Sequence, residues 1–142
     1  MKRIIKFRAF VDGIMYYNVE LTLDGWVHWW GDDGNDTECK AIGTIYEDRI
    51  LRTCELMQFT GLLDRNGKET YENDIIKYHD YDESFGKVKY DKWKIGQIIW
   101  DNEHLRYQSE TGNKYGKWLE NFYRMNYIEV IGNIYENPEL LT

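Results

Sequence analysis

Lys87, Lys89, Lys92 and Lys94 fall within eight residues of one another, with Tyr90 and Trp93 between them. Such a pattern has a nucleic-acid chemistry: ammonium groups meet phosphates while rings stack on bases. It also suits the solvent face of an edge strand, where alternating lysines block edge-to-edge pairing. Asp91 lies inside the run and the chain carries a formal charge of −7. A field of that sign disfavours phosphate backbones. A solvated strand face is therefore the preferred reading, and nucleic-acid binding through these six residues is the alternative.

Two acidic clusters invite a cation. Asp32-Asp33-Gly34-Asn35-Asp36-Thr37-Glu38 lacks the alternating ligands, sixth-position glycine and distal glutamate of a calcium loop. In the second, Asp80, Asp82 and Glu83 are followed by Phe85 where that pattern wants glycine. Both are read as solvated loops. His28, His79 and His104 are scattered without zinc-like spacing, and His28 between Trp26 and Trp30 is expected to be half-buried. Cys39 and Cys54 form no CxxC and are expected to be reduced thiols. Ser84 and Ser109 have no nucleophile context, and neither a phosphate-binding loop nor a dinucleotide fingerprint occurs. No enzyme, cofactor or metal is expected.

What must position these residues is a β-rich chain. Its 142 residues are 42% hydrophobic and 16% aromatic, with six Trp and twelve Tyr. That composition supports a core rather than disorder. Ile5, Phe7 and Ala9 alternate with Lys6, Arg8 and Phe10, the period of a half-buried strand. Asp12-Gly13 marks a turn, and Met15 to Leu23 reads as a strand with Tyr17, Val19, Leu21 and Leu23 on one face. Asp24-Gly25 marks the next turn, Trp26 to Trp30 another strand, and Gly31 to Glu38 a polar loop. Ile42 to Phe59 is mixed. Asn66-Gly67, between Gly61-Leu62-Leu63 and Lys68-Glu69-Thr70-Tyr71, is the strongest hairpin signal in the chain.

Beyond it, Asp74 to Tyr78 predicts a strand, His79 to Gly86 a polar excursion, and Gly86 to Tyr90 and Gly96 to Trp100 two further strands. Trp118, Leu119, Phe122 and Met125 fit a short helix over Lys117 to Met125. Ile128 to Tyr135 is the last strand, with Ile128, Val130, Gly132 and Ile134 on one face, halted at Asn137-Pro138. Short strands with glycine-bearing turns favour a small barrel or sandwich. The fold expected is mainly β (a β-rich α+β chain), an N-terminal meander over 1–58 packed with an SH3-like small barrel over 59–142.

Three stretches carry a family resemblance. They are Ile4-Ile5-Lys6-Phe7-Arg8-Ala9-Phe10, then Leu56 through Ile76 with its Gly61-Leu62-Leu63-Asp64-Arg65-Asn66-Gly67 core, then Glu129 through Leu140. In that order they resemble the YopX family, small proteins of phages and prophages of mainly Gram-positive bacteria. Members often carry glycine at the place of Asn73 and an aliphatic residue at that of Thr70; asparagine tolerates the left-handed backbone that glycine supplies. The resemblance brings no catalytic residue or cofactor to carry over. It implies a phage accessory protein in a bacterial cytoplasm, with a C-terminal part similar to an SH3-like barrel.

No apolar run reaches membrane-spanning length and the charged N-terminus has no signal-peptide core, so a cytoplasmic location is expected. The aromatics exceed what a core of this size hides. Tyr and Trp are enriched where proteins meet. The function expected is therefore a non-enzymatic binding module that self-assembles, with a host protein as second partner and no membrane.

Overall fold

The computed structural model describes residues 4–23, 26–30, 36–40, 54–82, 87–103, 106–111, 113–118 and 128–142. The chain divides into two compact units, Met1–Phe59 and Thr60–Thr142, built from antiparallel strands. No described helix is long and apolar enough to cross a membrane.

The first unit begins with β1 (Phe7–Val11) and β2 (Ile14–Tyr17), paired so that Val11 faces Ile14. Asp12 and Gly13 both take positive φ, 49° and 84°, as a two-residue hairpin with the twist of its strands requires. The strand anticipated through Leu23 breaks at Asn18, which is also left-handed. Only Val19 of its predicted face is buried, while Tyr17, Leu21 and Leu23 are exposed. β3 (Glu20–Leu21), β4 (Trp26–Trp30) and β5 (Asp36–Lys40) form a separate three-stranded sheet. Here the polar loop is shorter than anticipated, because Asp36, Thr37 and Glu38 pair with Trp30, Trp29 and His28. Asp24-Gly25 and residues 41–53 lie outside the described residues.

Ala9, Val11, Val19, Val27 and Cys54 make the core of this unit, with Phe7, Tyr16 and Leu56 against it. Arg8 departs from its anticipated polar face: it is only 1% exposed. β1 lies between β2 and β6 (Glu55–Leu63), so both its edges are paired and Arg8 has a cross-strand neighbour on each side. The register sets Arg8 beside Tyr17 on one strand and Met57 on the other. Its Nε donates to Met57 Sδ at 3.3 Å, and its guanidinium lies 5.9 Å from the Tyr17 ring centroid. A planar, weakly hydrated cation tolerates such surroundings better than an ammonium does.

The second unit continues from β6 through β7 (Glu69–Tyr71) to β8 (Asp74–Asp82), β9 (Lys87–Asp101), β10 (Arg106–Thr111), β11 (Asn113–Trp118) and β12 (Ile128–Asn133). The last five form one sheet in the order β11-β10-β9-β8-β12, curled into a half-barrel. The strand-rich, small-barrel class anticipated from sequence is what this chain adopts.

The curl has a visible cause. β9 pairs with β8 through residues 87–89 and 93–97, but with β10 through 97–101, so Gln97 alone belongs to both ladders. Neighbours staggered in this way, with register shifts, bend a sheet toward closure. Ile76, Tyr78, Ile98 and Ile128 form its buried cluster, with Leu62, Tyr107 and Val130 packed against them.

Four anticipated elements differ. The polar excursion from His79 is strand as far as Asp82, and the two strands anticipated over 86–100 are one continuous β9. Lys117 and Trp118, anticipated to open a helix, end β11, and the remainder of that segment, 119–127, lies outside the described residues. β12 stops at Asn133 rather than Tyr135. Val130 faces Ile76 and Gly132 faces Ile75, which leaves Ile131 as an extra residue that breaks the anticipated alternation. Pro138 then opens a 3-10 helix, Pro138–Leu141, where its missing N–H is no loss.

Candidate functional site

Two polar residues hold the second unit in register. Asp64, 6% exposed, opens the loop between β6 and β7. Its Oδ1 accepts from the backbone N–H of Asn66 (2.8 Å) and Lys68 (2.9 Å). The Asp64 N–H donates to Lys68 O, and Gly67 N–H to Asp64 O at 3.0 Å. Gly67 is left-handed at φ 81° whereas Asn66 is not. The Asn66-Gly67 hairpin is thus a three-residue loop ending in a left-handed glycine, and not the two-residue form. The same carboxylate reaches outward: Oδ2 accepts from Val130 N–H at 3.0 Å, beside Arg65 N–H donating to Ile128 O. The loop therefore covers the edge of β12 turned away from β8.

Asn73 sits at the β7–β8 turn with φ 65°, the conformation glycine would supply. Its side chain receives Gln97 Nε2 at 3.0 Å and donates to the Tyr135 hydroxyl at 3.1 Å. Its backbone ties to Ile98 O and Ile134 N–H. Asn133 builds the next turn, accepting from Tyr135 and Glu136 N–H while its amide donates to Glu136. These are scaffold bonds, made within the second unit.

Candidate contact residues lie on β9. Gly96 faces Ile76 and Ile98 is buried, so those positions look into the core. On the other face, Trp93 stands opposite His79, and Lys77 stands between Ile95 on β9 and Glu129 on β12. Trp93 is 39% and Ile95 43% exposed, large for apolar side chains in the middle of a ladder. Lys77 Nζ lies 4.4 Å from the Trp93 ring centroid, a cation–π distance. Glu129 and Lys77 give the strip both charge signs. A second aromatic pair, Trp100 and Tyr107, meets edge to face at 4.9 Å across β9 and β10.

The lysine run is not a regular alternation. After His79–Trp93 the ladder resumes at Asp80–Lys89, so Tyr90, Asp91 and Lys92 are extra residues on β9. The register then sets Asp80 opposite Lys89 and Asp82 opposite Lys87. Trp93 and Lys94 follow the bulge, and Lys94 is exposed. The side chains of Lys87, Lys89, Tyr90 and Lys92 lie outside what is described. Lys77 joins Trp93 only through the register, and nothing in the local sequence pairs them.

The remaining candidates separate. Asp32, Asp33, Glu83, Ser84 and His104 lie outside the described residues. His28 is half-buried on β4, Cys39 lies on β5 opposite Val27, and Ser109 lies on β10. Cys54 is buried as a thiol in the core of the first unit. Among the described residues no group of three or more His, Cys, Asp or Glu converges on a metal-sized space.

Known proteins resemble this chain in sequence and in fold. The family model described as YopX protein matches residues 6–142. The crystal structure of protein EF1440 from Enterococcus faecalis is similar with a TM-score of 0.62 and 28% identity, over 99% of this chain and 100% of that one. The crystal structure of protein yopX from Bacillus subtilis is similar in fold, with a TM-score of 0.52 and 20% identity, over 96% of this chain and 98% of that one. No curated protein matches the chain.

Proposed function

The chain belongs to the YopX family, and we propose that it is a phage or prophage accessory protein that acts by contact and not by catalysis, assembling with further copies of itself through the outward face of β8 and β9. The observation that carries this reading is the exposure of Trp93 and Ile95 side by side on β9, with Lys77 laid over the Trp93 ring. Exposed aromatic and aliphatic anchors are what protein interfaces use.

A second copy is the occupant favoured by the charges. The strip offers Lys77 and Glu129 together, so it selects no ligand of one sign, whereas an identical strip presents both signs in return. The work of such an assembly is done in the bacterial cytoplasm. Sizing by light scattering across a concentration series tests it. Oligomer is expected as concentration rises, and a clean monomer near 17.2 kDa throughout would remove the proposal.

Single-stranded nucleic acid is the second reading, favoured by Trp93 with Lys77 over its ring. Asp80 and Asp82, facing Lys89 and Lys87, and the overall −7 weigh on the other side. A low-salt gel shift separates the two.

A further inference from the structure

The sequence contains one Asn-Gly pair, Asn66-Gly67, and it lies on an exposed loop. This pair has a covalent chemistry of its own. The backbone nitrogen of Gly67 attacks Cγ of Asn66; the new C–N bond closes a five-membered succinimide, and the Cγ–Nδ2 bond breaks with loss of ammonia. Water then opens the ring at either carbonyl, giving aspartate or its β-linked isomer. Solvent is the only co-reactant.

We propose that Asn66 is a deamidation site whose reactivity is gated by Asp64. The attacking nitrogen is held in the folded loop, because Gly67 N–H donates to Asp64 O at 3.0 Å. The flanking amides of Asn66 and Lys68 are committed to Asp64 Oδ1. Gly67 at φ 81° completes a loop of fixed length, so the nitrogen cannot swing toward Cγ without the loop opening. Reaction therefore proceeds from an opened minority, and its rate follows the opening equilibrium.

The product acts back on the fold. Deamidation adds a negative charge next to the buried Asp64 carboxylate, and the β-linked product adds a backbone atom to a loop closed by a bond between Asp64 N–H and Lys68 O. Either change loosens the bond from Asp64 Oδ2 to Val130 N–H, the hold on the edge of β12. Age or transient unfolding would thus be written into the sequence as a lasting weakening of the half-barrel.

The test is peptide mapping by mass spectrometry after incubation at 37 °C and mildly alkaline pH. Three samples are compared: folded protein, protein held unfolded in urea, and the Asp64→Ala variant. Modification at Asn66 is expected in all three, at least about tenfold slower in the folded protein than in urea, with Asp64→Ala between them or near the urea rate. Equal rates in folded and unfolded protein would overturn the gating, as would an Asp64→Ala variant that is folded by circular dichroism yet reacts at the wild-type rate. Absence of modification at Asn66 in urea would overturn the site itself.

Discussion

Asp64 closes its own hairpin loop with one carboxylate oxygen and holds the amide of Val130, 66 residues further along the chain, with the other. One short side chain thus does two tasks that usually fall to backbone: it satisfies a turn, and it completes the open edge of a strand. Orphan N–H groups at such an edge cost stability unless something accepts from them.

Replacing Asp64 by Asn should therefore cost more than its shape suggests. An amide offers one acceptor oxygen and turns two donors toward N–H groups that are themselves donors. Loss of about 2 to 3 kcal/mol is expected in urea unfolding, together with faster hydrogen exchange at the Val130 amide. Exchange at Val130 that matches the parent protein would show that the bond does not hold β12.

Arg8 is among the largest fully buried side chains of the described residues. Its removal to Ala should cost about 3 kcal/mol or more through lost volume and the lost contacts with Met57 and Tyr17. Lys is no substitute, since its ammonium lacks a planar face to lay on Tyr17 and is more strongly hydrated. Thermal melts of Arg8→Lys and Arg8→Ala should both fall well below the parent. A Lys variant with parental stability would mean that only the charge matters.

At Asn73 the backbone and the side chain can be separated. Asn73→Gly keeps the left-handed turn and loses the bonds to Gln97 and Tyr135, whereas Asn73→Ala loses the bonds and strains the backbone as well. The alanine variant should be the less stable by about 1 kcal/mol. Chemical denaturation of the two side by side gives the answer, and the reverse order would contradict the turn geometry.

Gly132 has no room for a side chain. A Cβ built there would meet Asn137 Oδ1 at 2.5 Å and Asn137 Cβ at 2.9 Å. Gly132→Ala must push Asn137 aside and disturb its acceptance of Asn133 N–H, at an expected cost of about 1 to 3 kcal/mol. Pairing it with Asn137→Gly should recover part of that loss. No recovery in the double variant would place the cost elsewhere.

For the proposed contact face, Trp93→Ser and Ile95→Lys should lower the expected oligomer fraction in light scattering while leaving the circular-dichroism spectrum unchanged. Both positions are partly exposed, so the fold tolerates them better than changes in the core. An oligomer untouched by both changes would move the interface off β9.

How much of this was legible in the residues depended on whether the signal was local. Asp12-Gly13 declared its hairpin, because two successive left-handed residues demand such a pair. Asn66-Gly67 declared a turn but not its loop length, which Asp64 sets through bonds that no dipeptide reveals. β9 was split in the reading because Asp91, Lys92 and Gly96 interrupt its apolar pattern, and a three-residue bulge hides behind the same interruption. β10 and β11, Arg-Tyr-Gln-Ser-Glu-Thr and Asn-Lys-Tyr-Gly-Lys-Trp, are too polar to announce strands at all. Trp118 fits a helical spacing with Leu119, Phe122 and Met125 but ends β11, and those three lie outside the described residues. At the contact face, Trp93 was named from sequence, while Ile95 and Lys77 required the register of β8 on β9.

The strand order also dictates how the second unit must assemble. β8 through β11 follow one another as neighbours, each closing onto the strand before it across a short reach of chain. β12 instead returns past three strands to lie beside β8. Joining distant segments forfeits more chain entropy than closing hairpins, and such contacts slow the search for the native state. Incorporation of β12 is therefore the step in this unit with the greatest entropic barrier, and a nascent chain must emerge as far as Asn133 before its half-barrel can lock.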